Sequence, residues 1–361
     1  MSYGKIIRLS LFFMLLVLAV GIFISSGYHQ WIETNYSTGF FPKLASVLRL
    51  ALGQLSFSLG DILYSIAGIY ILVELFLFVK RFFNRKIGWK EKLVPLQKAG
   101  LAVLFLYVYF YLFWGLNYYR LGIEHQLNLR NDTFVKADLI AINQELLQKV
   151  NETKTICLQK KDTFMAPERM FRSAAASYKS LEKDFPFIHY RHLSMKPSFF
   201  GKVGNYVGFQ GYYNPFTGEG QVNMRIPNFL QPYVTTHEMA HQLGYASESE
   251  ANFVGFLAAT RSTDTLMQYS SYLDMFLYAY SNLRSVDSVA AKEVGKELHP
   301  AAKRDIQTFR DFILSHRTFI QDITDSFYDF YLRQNRQAKG IGSYREVTGW
   351  LISYRKKQGK L

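Results

Sequence analysis

Cysteine is almost absent from this chain: Cys157 is the only one in 361 residues. No intrachain disulfide can form and no cysteine-built metal cluster is available, so any bound metal must be held by histidines and carboxylates. Acidic residues are also scarce, 28 against 42 lysines and arginines, for a formal net charge of +14. Such an excess raises the question of nucleic acid. However, seven of the cations (Lys80, Arg81, Arg85, Lys86, Lys90, Lys92 and Lys98) fall in one short stretch beside the single acid Glu91. No basic helix or aromatic-basic ladder stands out elsewhere, which argues against a nucleic-acid partner. Internal repeats and low-complexity tracts are missing too.

What is abundant is apolar and aromatic residues, 49% and 17% of the chain, concentrated before residue 120. Three stretches there approach the roughly 20 apolar residues that a helix needs to cross the hydrocarbon core. They run over Leu9–Ser26, Asp61–Val79 and Ala99–Tyr118. The first follows Lys5 and Arg8 as a signal peptide would, but it is long for a cleavable signal and no A-x-A-like site follows it. It reads as an uncleaved span. Short cytoplasmic loops retain Lys and Arg, so the basic loop 80–98 and the N-terminus are expected in the cytoplasm. Three spans then leave everything after Arg120 on the far side of a bacterial cell membrane. Trp114 to Tyr119 read as an interfacial aromatic belt. Pro42 to Leu59 read either as a helix on the outer membrane surface or as one packed on the spans.

Residues 121–361 read as one extracytoplasmic domain, mostly helical. Helical periodicity marks Asp138–Val150 and Pro167–Phe185, and helices return from Val234 through Leu266–Leu283, Pro300–Leu314 and Phe319–Arg333, with a last one from about Tyr344. Between His192 and Val222 a texture of Gly, Tyr, Phe, Val and Asn with turn signals predicts short strands. A small sheet edged by helices is expected.

The chemistry is concentrated in Thr236-His237-Glu238-Met239-Ala240-His241-Gln242-Leu243-Gly244. Positions four apart share a helix face, so His237 and His241 can both reach one Zn²⁺. Glu238 is one step round, placed to act on a water as general base without being a ligand. Gly244 is placed to end the helix and turn the chain back, and Ser247-Glu248-Ser249-Glu250-Ala251-Asn252 then opens another helix with two acids. A third ligand is needed. Ser247 and Glu250 fit a capping box, which leaves Glu248 as the expected ligand, with Glu250 as the alternative. Asn252 stands on the same face as Glu248, four residues on, able to hydrogen-bond a ligand from behind.

These residues resemble the gluzincin-type zinc metallopeptidases, in several of which the third ligand is the first acid of an E-x-x-A-D or E-x-x-A-N motif. More closely, the three spans, the Trp114-Gly115-Leu116-Asn117-Tyr118-Tyr119-Arg120 stretch and the block HEMAHQLGYASESEANF resemble an uncharacterised family of bacterial three-span membrane proteins assigned to that clan. The resemblance implies a zincin-like domain, His237, His241 and Glu248 as zinc ligands, Glu238 as base and Asn252 supporting a ligand. The seven-residue step from His241 to Glu248 is shorter than in the well-studied gluzincins and nearer the metzincin spacing, although Ser247 stands where a metzincin ligand would fall.

The fold class expected is therefore a three-helix membrane anchor over residues 1–120 and an α+β, mostly helical domain with a small sheet. The function expected is a zinc metallopeptidase acting on peptide or protein substrates. A zinc-binding sensor or scaffold without catalysis is the rival. Tyr344, Arg345, Tyr328 and His299 are candidates to stabilise an oxyanion, and Tyr212, Tyr213 and Asn214 to line a substrate strand.

The seven-to-one basic excess of the second loop makes topology the first thing to test. Reporter fusions at residue 90 and residue 200 are expected in opposite compartments, and the same compartment for both would sink the three-span arrangement.

Overall fold

The computed structural model describes residues 3–84, 88–129, 134–335 and 344–361, with the side chains of Lys5, Lys90, Glu91, Tyr344 and Arg345 outside that description. Arg85 and Lys86 of the basic loop lie outside the described residues, as do the side chains of the oxyanion candidates Tyr344 and Arg345. Helix α1 (Tyr3–Ser25) is followed by one turn, α2 (His29–Trp31), then a π-helical segment over Ile32–Phe40 and α3 (Phe41–Leu52). Two 25-residue helices follow, α4 (Leu59–Phe83) and α5 (Trp89–Phe113). Ile6–Ser25, Leu59–Phe83 and Lys92–Phe113 are long and apolar enough to cross a membrane, and little of them is buried within the protein. Three helices of this length and composition are consistent with a membrane protein.

The third apolar helix stops at Phe113, earlier than its sequence suggests. Trp114 breaks the helical dihedrals and starts a 3₁₀ turn over Gly115–Tyr119. Its indole is buried and its Nε1–H donates to the His241 carbonyl at 3.3 Å. The expected aromatic belt is therefore corrected at this position: Trp114 turns into the protein, where its buried indole N–H finds an acceptor. Helix α3 is likewise packed on protein. Phe41, Ala45 and Arg49 are buried at four-residue spacing, so one face of the helix is covered.

The rest is helical around a three-stranded sheet. A short α6 (Gly122–Gln126) leads to α7 (Lys136–Gln159) and α8 (Pro167–Asp184). The sheet is built from β1 (Met195–Pro197), β2 (Gly211–Asn214) and β3 (Glu219–Val222) in the order β1-β3-β2, with β1 parallel and β2 antiparallel to the buried β3. The segment expected to hold only strands also forms α9 (Gly201–Val207) between β1 and β2. Then come α10 (Gln231–Gln242), α11 (Glu248–Ala259), α12 (Thr265–Val286), α13 (Ser288–Lys296), α14 (Pro300–His316), α15 (Phe319–Gln334) and α16 (Tyr344–Gln358). Ile142, Leu146 and Val150 of α7 share one buried cluster with Leu273, Phe276 and Leu283 of α12, behind α10 and α11.

The sheet is joined to the second apolar helix. Ser58 caps α4 by accepting from the Asp61 amide. Buried Glu219 on β3 accepts from the amides of Leu59 (3.2 Å) and Gly60 (2.7 Å) and from the Thr217 hydroxyl (2.9 Å). Asp61 accepts from the Phe199 amide at 2.7 Å and from the Tyr212 hydroxyl of β2. A carboxylate at a helix N-terminus satisfies orphan amides and favours the dipole. Glu219→Gln keeps the shape but removes the charge from buried amides. It is expected to cost about 1–3 kcal/mol, read as a lower melting temperature of the detergent-solubilised protein. An unchanged melting temperature would refute this role.

Candidate metal centre

Helix α10 starts with Pro232 in its first turn and ends at Gly244, whose φ of +85° is the left-handed conformation that glycine tolerates. Tyr245 donates its amide to the Ala240 carbonyl (3.2 Å) and Gly244 to that of His241 (3.0 Å), the paired bonds of a Schellman turn. The chain reverses there and Glu248 becomes the first residue of α11. A local turn thus delivers an acid to the face carrying two histidines.

The three side chains converge. The imidazoles of His237 and His241 lie 4.7 Å apart, ring planes perpendicular. Glu248 places one carboxylate oxygen 3.3 Å from His237 Nε2 and the other 3.6 Å from His241 Nε2. All three ligand atoms lie within 4.8 Å of one another, so the group could hold a metal ion. A tetrahedral ion with bonds of ~2.0–2.2 Å separates its ligand atoms by roughly 3.3–3.5 Å, close to the spacing seen. His241 Nδ1 sits 2.7 Å from the Tyr245 carbonyl, which can only accept; Nδ1 therefore carries the proton and Nε2 is the nitrogen open to a metal.

The electrostatics suit a ligand set. Burial alone would raise the Glu248 carboxyl, but the two histidines reverse this and hold it well below the usual carboxylate range. Burial disfavours a charged His241, yet Glu248 outweighs it and pushes the imidazole up to about 9. Below that pH a metal must displace the proton, so uptake releases protons at neutrality. Tyr328, from α15, donates its hydroxyl to Glu248 Oε1 at 2.5 Å.

Glu238 points to the sheet side of the helix. It is 3% exposed, and burial pushes its carboxyl up to about 7. One oxygen has no hydrogen-bond partner. Gly211 on β2 permits this approach, since a Cβ there would stand 2.5 Å from Glu238 Oε1. The cleft in front, about 770 Å³, is lined by His237, Glu238, His241 and Glu248 on one side. Because β2 is the edge strand, an extended chain could add beside it.

Other expected residues fall variously. Glu250 does not cap its own helix. Its buried carboxylate accepts from the Ile123 amide at 2.7 Å, while the Ser247 hydroxyl pairs with that of Ser249 at 2.8 Å. The capping-box expectation is overturned because the first turn of α6 has an orphan amide nearer to Glu250. Asn252 lines the cleft and accepts from the Tyr233 hydroxyl at 3.0 Å. Tyr212 and Tyr213 line the same cleft, whereas Asn214 accepts from the Phe216 and Thr217 amides and holds the β2–β3 turn. His299 caps α14 by accepting from the Ala301 amide.

One residue that sequence reasoning missed is Asp274, on α12 at the cleft wall. Burial pushes its carboxyl up to about 7 against the opposing field of His237. His237 Nδ1 and Asp274 Oδ2 are both buried without a hydrogen-bond partner. No local pattern connects positions 237 and 274; only the packing of α12 behind α10 does.

The chain belongs to a protein family of unknown function, DUF3810, whose model matches residues 36–352. No curated protein and no solved structure matches it.

The geometry separates the two acids of α11. His237→Ala or His241→Ala is expected to abolish stoichiometric Zn²⁺ uptake by the purified protein, and Glu248→Ala to weaken it strongly. Glu250→Ala should keep the metal and lower stability by about 1–3 kcal/mol, the cost of leaving a buried amide unpaired. Metal analysis and thermal melts on the four variants decide this, and the opposite pattern for Glu248 and Glu250 would reverse the assignment.

Proposed function

We propose that this protein is a membrane-anchored zinc metallopeptidase of the gluzincin kind, its zincin-like domain facing outward from a bacterial cell membrane. The observation that carries the reading is Glu238: a buried carboxylate with one unpartnered oxygen, on the open side of a three-ligand cluster. A site that only held zinc for structure would have no use for such a group.

In this reading His237, His241 and Glu248 would hold Zn²⁺. The ion, when bound, would polarise a carbonyl and lower the pKa of an attacking water towards ~7. Glu238 would take a proton from the attacking water and hand it to the leaving amine. Burial raises its carboxyl above the ordinary carboxylate range, which favours proton uptake from water. The β2 edge aligns an extended substrate, and the Tyr245 carbonyl holds His241 in the required tautomer. Tyr328 is the expected oxyanion donor that lies at the cluster, its hydroxyl on Glu248.

Glu238→Gln preserves shape but accepts no proton. It should leave zinc content and folding intact while slowing peptide hydrolysis at least about 100-fold, the lower end of what a general base contributes. A deletion strain restored as fully by Glu238→Gln as by the parent would replace this reading with a zinc-binding sensor or scaffold.

A further inference from the structure

Helix α15 carries an apolar stripe that none of the described residues covers. Phe319, Ile323, Phe327 and Phe330 are 74, 62, 72 and 59% exposed, and Ile320 joins them at 45%. At 3.6 residues per turn these five positions fall within a sector of about 100°. The neighbouring sector, with Thr324, Tyr328 and Tyr331, lines the cleft. One helix therefore presents one face to the site and a second, greasy face outward, with Phe327 at their border also lining the cleft.

The C-terminal end of α15 is tied directly to the end of one apolar helix, and its N-terminal end is linked to another through the segment of α9. At its C-terminus Asn335 accepts from the hydroxyl of Tyr111, which lies two residues before the end of α5, at 2.8 Å. The Tyr331 ring lies 6.1 Å from Tyr118 and 6.4 Å from Phe110. At its N-terminus Thr318 donates to the Tyr206 carbonyl of α9 at 3.1 Å. Just before α9, the Phe199 amide donates to Asp61 in the first turn of α4. Helix α15 thus bridges the ends of two candidate spans, and Phe199 and Val203 beside it are also 58% exposed.

Those spans also form part of the cleft. Tyr64, five residues or about 8 Å into α4, and Phe110, near the end of α5, line it with the metal-ligand cluster. The cleft therefore lies beside the N-terminal end of α4 and the C-terminal end of α5.

We propose that α15 beds its apolar stripe in the lipid surface, so that the cleft takes polypeptides anchored in the same bilayer and acts on the stretch just outside it. The substrate class rests on the peptidase reading; the placement of α15 does not. The occupant of the stripe is the bilayer rather than a partner protein because the stripe lies between two apolar helices, joined directly to α5 and through the α9 segment to α4. The polar flank carries Asp322, Asp329 and Arg333 instead of a row of lysines. Burial of apolar surface, not attraction to anionic lipid, holds the helix.

The test uses the full chain in lipid nanodiscs. In a Cys157→Ser background, single cysteines at Ile323, Phe330 and Asp322 are labelled with a small fluorophore, and the lipids carry brominated acyl chains. Quenching is expected at Ile323 and Phe330, equally in zwitterionic and anionic lipid, and not at Asp322. Labels at Ile323 and Phe330 that stay unquenched in correctly folded, metal-binding protein would overturn the placement. Energy transfer between labels on two copies would give the stripe to a second molecule instead. For the substrate class, one short random peptide core is offered free in solution or joined to a synthetic transmembrane helix in the same vesicles. The anchored form should be cleaved at least about tenfold faster, through its higher effective concentration. Equal rates would overturn the substrate class with the peptidase intact. Cleavage of neither by metal-loaded protein would overturn the peptidase reading on which it rests, while quenching still decides where α15 lies.

Discussion

The end of helix α10 is the point on which the structure turns. A helix leaves its last carbonyls without intrahelical partners, and these are buried where no water can serve them. Donors from the N-terminal third of the chain reach two of them, those of His241 and Gln242, and the Gly244 carbonyl of the turn that follows. Trp114 donates to His241, Arg49 to Gln242 at 2.8 Å and Arg120 to Gly244 at 3.1 Å. Cations at a helix C-terminus also complement its dipole. The helix bearing both histidines is thus fastened, carbonyl by carbonyl, to the segments that flank the apolar spans.

Burying two guanidiniums demands compensation, because an unpaired buried charge costs several kcal/mol. Glu33 supplies it for Arg120 in a two-pronged pair at 2.9 and 3.1 Å and also accepts from the Leu121 amide and the Gln126 side chain. Burial works to raise the Glu33 carboxyl, and Arg120 with the neighbouring amides outweighs it and holds the group below its ordinary range. Arg49 is served differently, donating to the Arg191 carbonyl and lying 4.9 Å over the Tyr190 ring. Tyr190 in turn donates to the Gln242 side chain, whose amide bonds the Ser194 and Gly218 carbonyls around the sheet. Apolar helices, α10 and sheet therefore form one connected polar framework beneath the site.

That framework explains how a charged cluster and a buried base coexist within one helical turn. Glu248 and His241 stabilise each other's charges, whereas Glu238, one step round on the helix from His237, faces Gly211 and the sheet with little to stabilise its anion. Two carboxylates ten residues apart are driven in opposite directions, Glu248 down and Glu238 up, by environment alone. Such divergence is the physical condition for one acid to ligate while the other moves protons.

Much of this was legible from local pattern. Apolar runs marked the three long helices, the four-residue step put His237 and His241 on one face, and Gly244 marked the turn that brings the chain back. These depend on helical period, chain length and the backbone freedom of glycine, which are properties of neighbouring residues. The sequence left Glu248 and Glu250 as rivals, cast Glu250 as a cap for its own helix and sent Trp114 to a lipid interface. Only the tertiary structure turned Glu248 to the imidazoles, gave Glu250 to the Ile123 amide 127 residues away and drew Trp114 to a carbonyl at the same separation. It alone brought Asp274 to His237 and Tyr328 to Glu248. The reason is that a buried polar atom pairs with whatever complementary group packing brings within about 3 Å, and that partner is chosen by how helices from distant parts of the chain stack, which no local spacing records.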